Sequence, residues 1–454
     1  MRRNLTLATL ALISLPWTAG AQPSARLRRM VVVGDSLLAG FGSGGLVGTG
    51  RPGQIDSAPA FIARRAHVPL RQPLMGRPGV PAQLRIVDAN RNGVLDAGEV
   101  RRTDSGLGFR SDTNHRARNL AVPGEDSASV FDTISPQGVA GEIAGGNPDG
   151  RDVLKFLILA FPLRSGSVSQ ITAAHDLNPS FILVWIGNND LLDMATMTNP
   201  GAITVSPAQF GDRYRRLLGQ LADTGAGMAV ANLPDPTHVA ALRRASTDVT
   251  SCRTPDGATH PVAADDLLSV DLDPRLLPVP PCGKVLDATE RAAVRATVDA
   301  FNAQIAAAVQ ETSAARGVQI ALVDVAGAID GIARDGVDLN GDGTPEVTTS
   351  YLGGLFSLDG IHPTRTGNAI LANVFIQAID ATFGETIPQV NVARVAARDP
   401  LAHSRFRPAG EPPFGLINDD DDELESFFTN IYDDIARNAD DLRDHLKDFF
   451  GNLF

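Results

Sequence analysis

Short apolar runs, rich in β-branched residues, recur at wide spacing through this chain. They cover Met30 to Gly34, Leu84 to Val87, Asn119 to Val122, Phe181 to Gly187, Gly227 to Asn232 and Val318 to Val323. A strand that is apolar on both faces must be buried on both, and a parallel sheet flanked by helices provides that. Helical segments lie between several of the runs. Ala208 to Thr224 is one, and Asp287 to Arg316 is the strongest, with Asp287 placed to cap its start, Glu290 three residues on and Gly317 at its end. The expected fold is therefore a three-layer α/β/α sandwich around a central parallel sheet.

Flanking segments divide the 454 residues further. Residues 1–21 combine Arg2 and Arg3, an apolar run from Leu5 to Leu15 and small residues ending at Ala21, the pattern of a cleaved secretory leader. The expected location is thus secreted or periplasmic. The body spans 22–388 and carries a long polar insertion, rich in Gly and Pro, at about 44–115. Residues 389–418 contain several prolines and read as a linker. Residues 419–454 space their apolar side chains by three and four, as in an amphipathic helix that docks on its own domain or on a partner. No apolar run reads as a transmembrane segment; Val153 to Leu163 is interrupted by Lys155 and stopped by Pro162, and suits a core or a pocket wall.

The net charge of −12 is concentrated in that last segment, where 12 acidic residues face 3 basic ones. Such a balance argues against nucleic acid as a partner. The two cysteines, Cys252 and Cys282, are expected to pair, given an exported chain. Two acidic loops suit structural calcium. In "DANRNGVLDAGE" the ligands would be Asp88, Asn90, Asn92, Val94 through its carbonyl, Asp96 and Glu99. In "DLNGDGTPEVTT" they would be Asp338, Asn340, Asp342, Thr344 and Glu346, with Thr349 where a bidentate acid would close the loop.

Chemistry enters at the strand ends, because parallel α/β sheets build their sites there. The first run ends in Gly34-Asp35-Ser36, a common turn sequence that also suits an exposed nucleophile. Gly124 follows another run in a tight loop, and Gly187-Asn188-Asn189-Asp190 follows a third. Near the end of the body, "LDGIHPT" sets Asp359 three residues before His362, where an acid could orient an imidazole. A second His-Pro pair, His260-Pro261, lacks a comparably placed acid and a following helix.

Each segment alone is ordinary turn chemistry. Together, and in this order, they resemble the four sequence blocks of the GDSL, or SGNH, hydrolase superfamily. The resemblance implies a flavodoxin-like sandwich, with Ser36 as nucleophile, His362 as base and Asp359 as its orienting acid. It implies an oxyanion hole from the Ser36 and Gly124 backbone and the Asn189 side chain, with Asn189 rather than Asn188 in that role. The implied activity is hydrolysis of carboxylic esters, in the esterase or lipase manner, with no cofactor in catalysis. Removal of O-acetyl groups from polysaccharide is an alternative, as is a non-catalytic surface-interaction protein on the same fold.

Overall fold

The computed structural model describes residues 23–50, 52–96, 98–196, 205–245, 249–269, 279–402, 407–408 and 427–450. The expected leader lies outside them. Four strands form the central sheet: β1 (Met30–Gly34), β2 (Phe181–Trp185), β3 (Gly227–Ala231) and β4 (Ile320–Val323). They run parallel in the order β1-β2-β3-β4, with Met30 opposite Phe181 and Ile320 opposite Met228. Residues 119–122 extend the sheet beyond β1, where the Leu120 N–H donates to the Val32 carbonyl at 2.9 Å and the Val122 N–H to Gly34 at 3.0 Å. The third run in the chain is thus outermost and the first lies inside it. That reversal opens a crevice at the carboxyl ends of β1 and β2.

Thirteen α-helices are described, and those used below follow in chain order. They begin with α1 (Ser36–Ala39), α2 (Ala58–Arg65), α3 (Pro136–Gly145), α4 (Gly150–Leu159), α5 (Gln170–Asp176), α6 (Asn189–Thr196) and α7 (Pro207–Ala222). They continue with α8 (Ala288–Arg316), α9 (Val325–Asp335), α10 (Arg365–Phe383), α11 (Val392–Ala396), α12 (Phe427–Arg437) and α13 (Asp440–Phe450). The expected capping box of α8 is formed: Asp287 accepts the Glu290 N–H at 2.8 Å and Glu290 accepts the Asp287 N–H at 2.9 Å. β1 and β2 are buried throughout, as uninterrupted apolar strands require. Among the described residues no helix is long and apolar enough to cross a membrane.

Three details differ from the sequence reading. Leu84–Ile86 leaves the central sheet and pairs antiparallel with Val100–Arg102, flanking the first acidic loop. The short helix α11 interrupts the expected linker. The terminal segment is two helices, α12 and α13, with a break at Asn438 and Ala439. Its apolar spacing runs through that break, since Ile435, Ala439, Leu442 and Leu446 are all buried. Residues 419–426, where the single helix was expected to start, lie outside the described residues.

Cys252 and Cys282 form a disulfide. It lies by a small satellite core that includes Val249, Val262, Leu268 and Val285.

Candidate active site

The turn after β1 is held from both sides. Gln170, at the start of α5, accepts the Gly34 N–H and donates to the Gly34 carbonyl, both at 3.0 Å. Asp35 caps α1 by accepting the Leu37 N–H at 2.9 Å. It also accepts the Asn188 amide at 2.8 Å. Burial pushes the Asp35 carboxyl up to about 6, against the pull of the Asn188 amide, the Leu37 N–H and the charge of His362. The turn-forming role in Gly-Asp-Ser therefore belongs to Asp35. Ser36 is left as the first residue of the helix.

His362 meets Asp359 through Nδ1 to Oδ2 at 3.0 Å. An ionised carboxylate only accepts, so this contact places a proton on Nδ1 and leaves Nε2 able to accept one. The acid is held by further donors. The Gly44 N–H reaches Oδ2 at 2.7 Å, while the His362 and Ile361 N–H groups reach Oδ1 at 2.9 and 3.0 Å. The Ser357 hydroxyl adds a bond at 3.1 Å. Burial raises the Asp359 carboxyl, but His362 and these N–H groups more than reverse it, so it sits below the usual carboxylate range. The imidazole is flanked by Phe41, with ring centres 4.8 Å apart, and by Phe428 of α12 at 6.1 Å.

The other side of the site is a loop tied to the start of α6. Gly124 has φ +80°, a conformation that favours glycine. The Asn189 amide donates to the Glu125 carbonyl at 2.7 Å. Asp190 accepts both the Ser127 N–H, at 2.8 Å, and its hydroxyl, at 2.6 Å. Burial pushes the Asp190 carboxyl up to about 7, with Ser127 acting against it. Beneath the loop, the buried Glu125 carboxyl lies 3.1 Å from Lys155 Nζ.

Ser36, Asn189 and His362 open onto one cavity of about 70 Å³. Leu37, Leu191, Leu192, Val239, Ile329 and Phe356 contribute apolar walls. His238 sits on the same cavity, with its Nε2 3.0 Å from Asp330. Gly124 adjoins the site from the α12 side, where a methyl group added to it would lie 1.6 Å from the Tyr432 hydroxyl oxygen. The rival His260 is exposed on a two-stranded ribbon near the disulfide.

The acidic loops stand outside this cavity. In the second, carboxylate oxygens of Asp338, Asp342 and Glu346 all lie within 4.8 Å of one another. Among the described residues no such group forms in the first. There Asp96 accepts the side chains of Asn90 and Asn92, and Glu99 accepts the Ala89 and Asp96 N–H groups.

Sequence reasoning missed Gln170, Asn188 and Gly44 as supports of the site. Each acts across a long stretch of chain, and Gly44 lies 315 residues from Asp359. It also missed Phe428 and Tyr432, which reach the site from the terminal segment.

No curated protein matches the chain. Among solved structures, that of TesA is similar at 13% identity, covering 78% of this chain and 98% of its own, with a TM-score of 0.30. LAE5, an alpha/beta hydrolase enzyme from the metagenome of Lake Arreo, Spain, is similar at 15% identity, covering 77% and 93%, with a TM-score of 0.31. The extracellular lipase of Streptomyces rimosus is similar at 14% identity, covering 77% and 98%, with a TM-score of 0.32. The profile of the GDSL-like Lipase/Acylhydrolase family matches residues 30–375, well over half of the sequence and from β1 into α10. The chain belongs to that family and is a carboxylic ester hydrolase.

Proposed function

We propose that the protein is an exported esterase of lipase type that acts through Ser36, His362 and Asp359. The observation carrying this reading is the Asp359–His362 bond at 3.0 Å beside a cavity that Ser36, Asn189 and His362 share. Ser36 Oγ attacks the ester carbonyl carbon as His362 Nε2 takes its proton. The C–O double bond opens to an oxyanion, which the Ser36 and Gly124 N–H groups and the Asn189 amide stabilise. His362 then returns the proton to the leaving alkoxide as the ester bond breaks. Water, deprotonated by the same nitrogen, cleaves the acyl-serine. Asp359 keeps the imidazole oriented and stabilises its charged form.

The apolar walls favour acyl chains over the sugar surface that a polysaccharide O-acetyl esterase would have to bind. Structural calcium fits the second acidic loop better than the first, because its carboxylates converge. Val337 and Val347 bridge across the base of that loop, and the chain runs on from it towards Asp359. Calcium there would brace the approach to the site and take no part in the reaction.

The test is turnover of p-nitrophenyl esters from acetyl to dodecanoyl. Ser36→Ala is expected to abolish it with the fold intact. Undiminished turnover by that variant would overturn the assignment. A preference for acetylated xylan over every acyl ester would move the substrate to polysaccharide.

A further inference from the structure

The terminal helices cover the site just described. α12 packs on α4, and α13 packs on α3. The Tyr432 hydroxyl donates to the Pro123 carbonyl at 3.1 Å, one residue before Gly124. Phe428 stands edge-on to His362 and also faces Phe41 at 6.1 Å. One helix thus lies against both the loop that would hold the oxyanion and the ring that would move the proton. Ser36 is 3% exposed and His362 1%. The cavity of about 70 Å³ is far below the roughly 300–1,000 Å³ that small-molecule sites enclose, and α12 closes the Gly124 face beside it, through Tyr432, rather than lining the cavity itself. An ester with a long acyl chain does not fit this arrangement.

The surface beneath the helices is apolar. Val139 and Ile143 of α3 and Val153, Leu154 and Leu157 of α4 are buried in one cluster with Phe428, Ile431, Ile435, Leu442 and Leu446. The helices pair with no strand of the central sheet, so they can leave without breaking it. Polar ties hold their rim: Asp441 accepts the Leu107 N–H at 3.0 Å, and Asp434 lies 3.5 Å from Arg102.

We propose that α12 and α13 are an autoinhibitory lid, and that lifting it opens an apolar floor, beside the Gly124 loop, for the acyl chains of an aggregated neutral ester lipid. This rests on the esterase reading. An apolar floor of this kind gains most by meeting an aggregate, where acyl chains replace the buried side chains of the lid. The acidic terminal segment disfavours anionic surfaces, which selects an uncharged aggregate. The observed rate is then the intrinsic rate scaled by the fraction of open molecules.

The test uses two variants that leave every proposed catalytic group in place. One ends at Asn418. The other is Gly150→Ala, whose added methyl would lie 1.9 Å from the Tyr432 carbonyl oxygen and 2.6 Å from its carbon. Those are backbone atoms of α12, so only a shift of the whole helix relieves the contact, whereas α4 tolerates alanine. The readouts are the labelling rate of Ser36 by a bulky fluorophosphonate and turnover of p-nitrophenyl decanoate, alone and in neutral detergent micelles. Both variants are expected to label about tenfold faster than the full chain, as for a lid open in a tenth or less of molecules. The full chain is expected to gain activity in micelles, and the variants to be active already on free ester. Unchanged or slower labelling in both, with Ser36 still reactive, overturns the lid and leaves the esterase standing. No labelling in any form, full chain included, overturns the esterase reading as well. If the shortened chain does not fold, Gly150→Ala decides the question alone.

Discussion

Asn189 is the side chain whose loss should separate rate from binding. Its amide is aimed by the Glu125 carbonyl at 2.7 Å, and the charge it would meet exists only as the ester carbonyl is attacked. Asn189→Ala is expected to lower kcat by about 100-fold while KM changes little; steady-state kinetics on a short acyl ester would show it. A rise in KM alone would remove Asn189 from the oxyanion hole. Beneath the same loop, burial pushes Glu125 up to about 8, against the pull of Lys155. The folded protein therefore keeps this proton at pH values where the unfolded chain has released it. Stability from this group is full on the acid side of the ordinary glutamate range and drains as pH rises towards about 8. Glu125→Gln cannot titrate. The melting temperature of the parent relative to this variant should fall across that window, and a rising difference would reverse the assignment. Of these groups, Asp359 and His362 were legible because they lie three residues apart in one loop. Asn188 was not, since the pattern Gly-Asn-Asn-Asp marks a strand end without saying that the first amide turns to Asp35.

Among the elements, β1 and the turn after it depend most on one borrowed side chain. Gln170 satisfies both polar groups of Gly34 where the sheet ends, and it is itself buried. Gln170→Leu leaves a donor and an acceptor unpaired, a cost of about 2–5 kcal/mol. Urea denaturation should register it as a lower midpoint with unchanged slope. The sheet strands were readable because apolarity on both faces has few other solutions. Leu84 to Val87 misled for the same reason: a short apolar run does not reveal whether its partner is the main sheet or a local ribbon. The break between α12 and α13 was hidden because the buried positions keep helical spacing while the chain turns.

Over the whole molecule, two devices lie outside the cavity that Ser36 lines. The disulfide closes a loop with a sequence separation of 30 beside its own small core, so its loss should be felt locally. Replacing both cysteines by serine is expected to cost about 3–4 kcal/mol, with Ser36 still reactive to fluorophosphonate. Loss of that reactivity in a folded variant would show that the satellite region supports the site. Calcium in the second acidic loop would add about 2.7 kcal/mol at a hundredfold excess over its dissociation constant. Chelator should then lower the melting temperature, and Asp342→Asn should abolish the difference. A parent protein indifferent to chelator would remove the metal from the reading.

The bond from Gly44 to Asp359 has a practical corollary for anyone who wants a smaller catalyst. The excursion from 44 to 115 looks like the obvious part to trim, yet its first peptide group anchors the acid behind the histidine. A shortened design must splice after that residue and keep the backbone pointing as it does now. A splice that removes the amide would leave a compact protein with a slack imidazole.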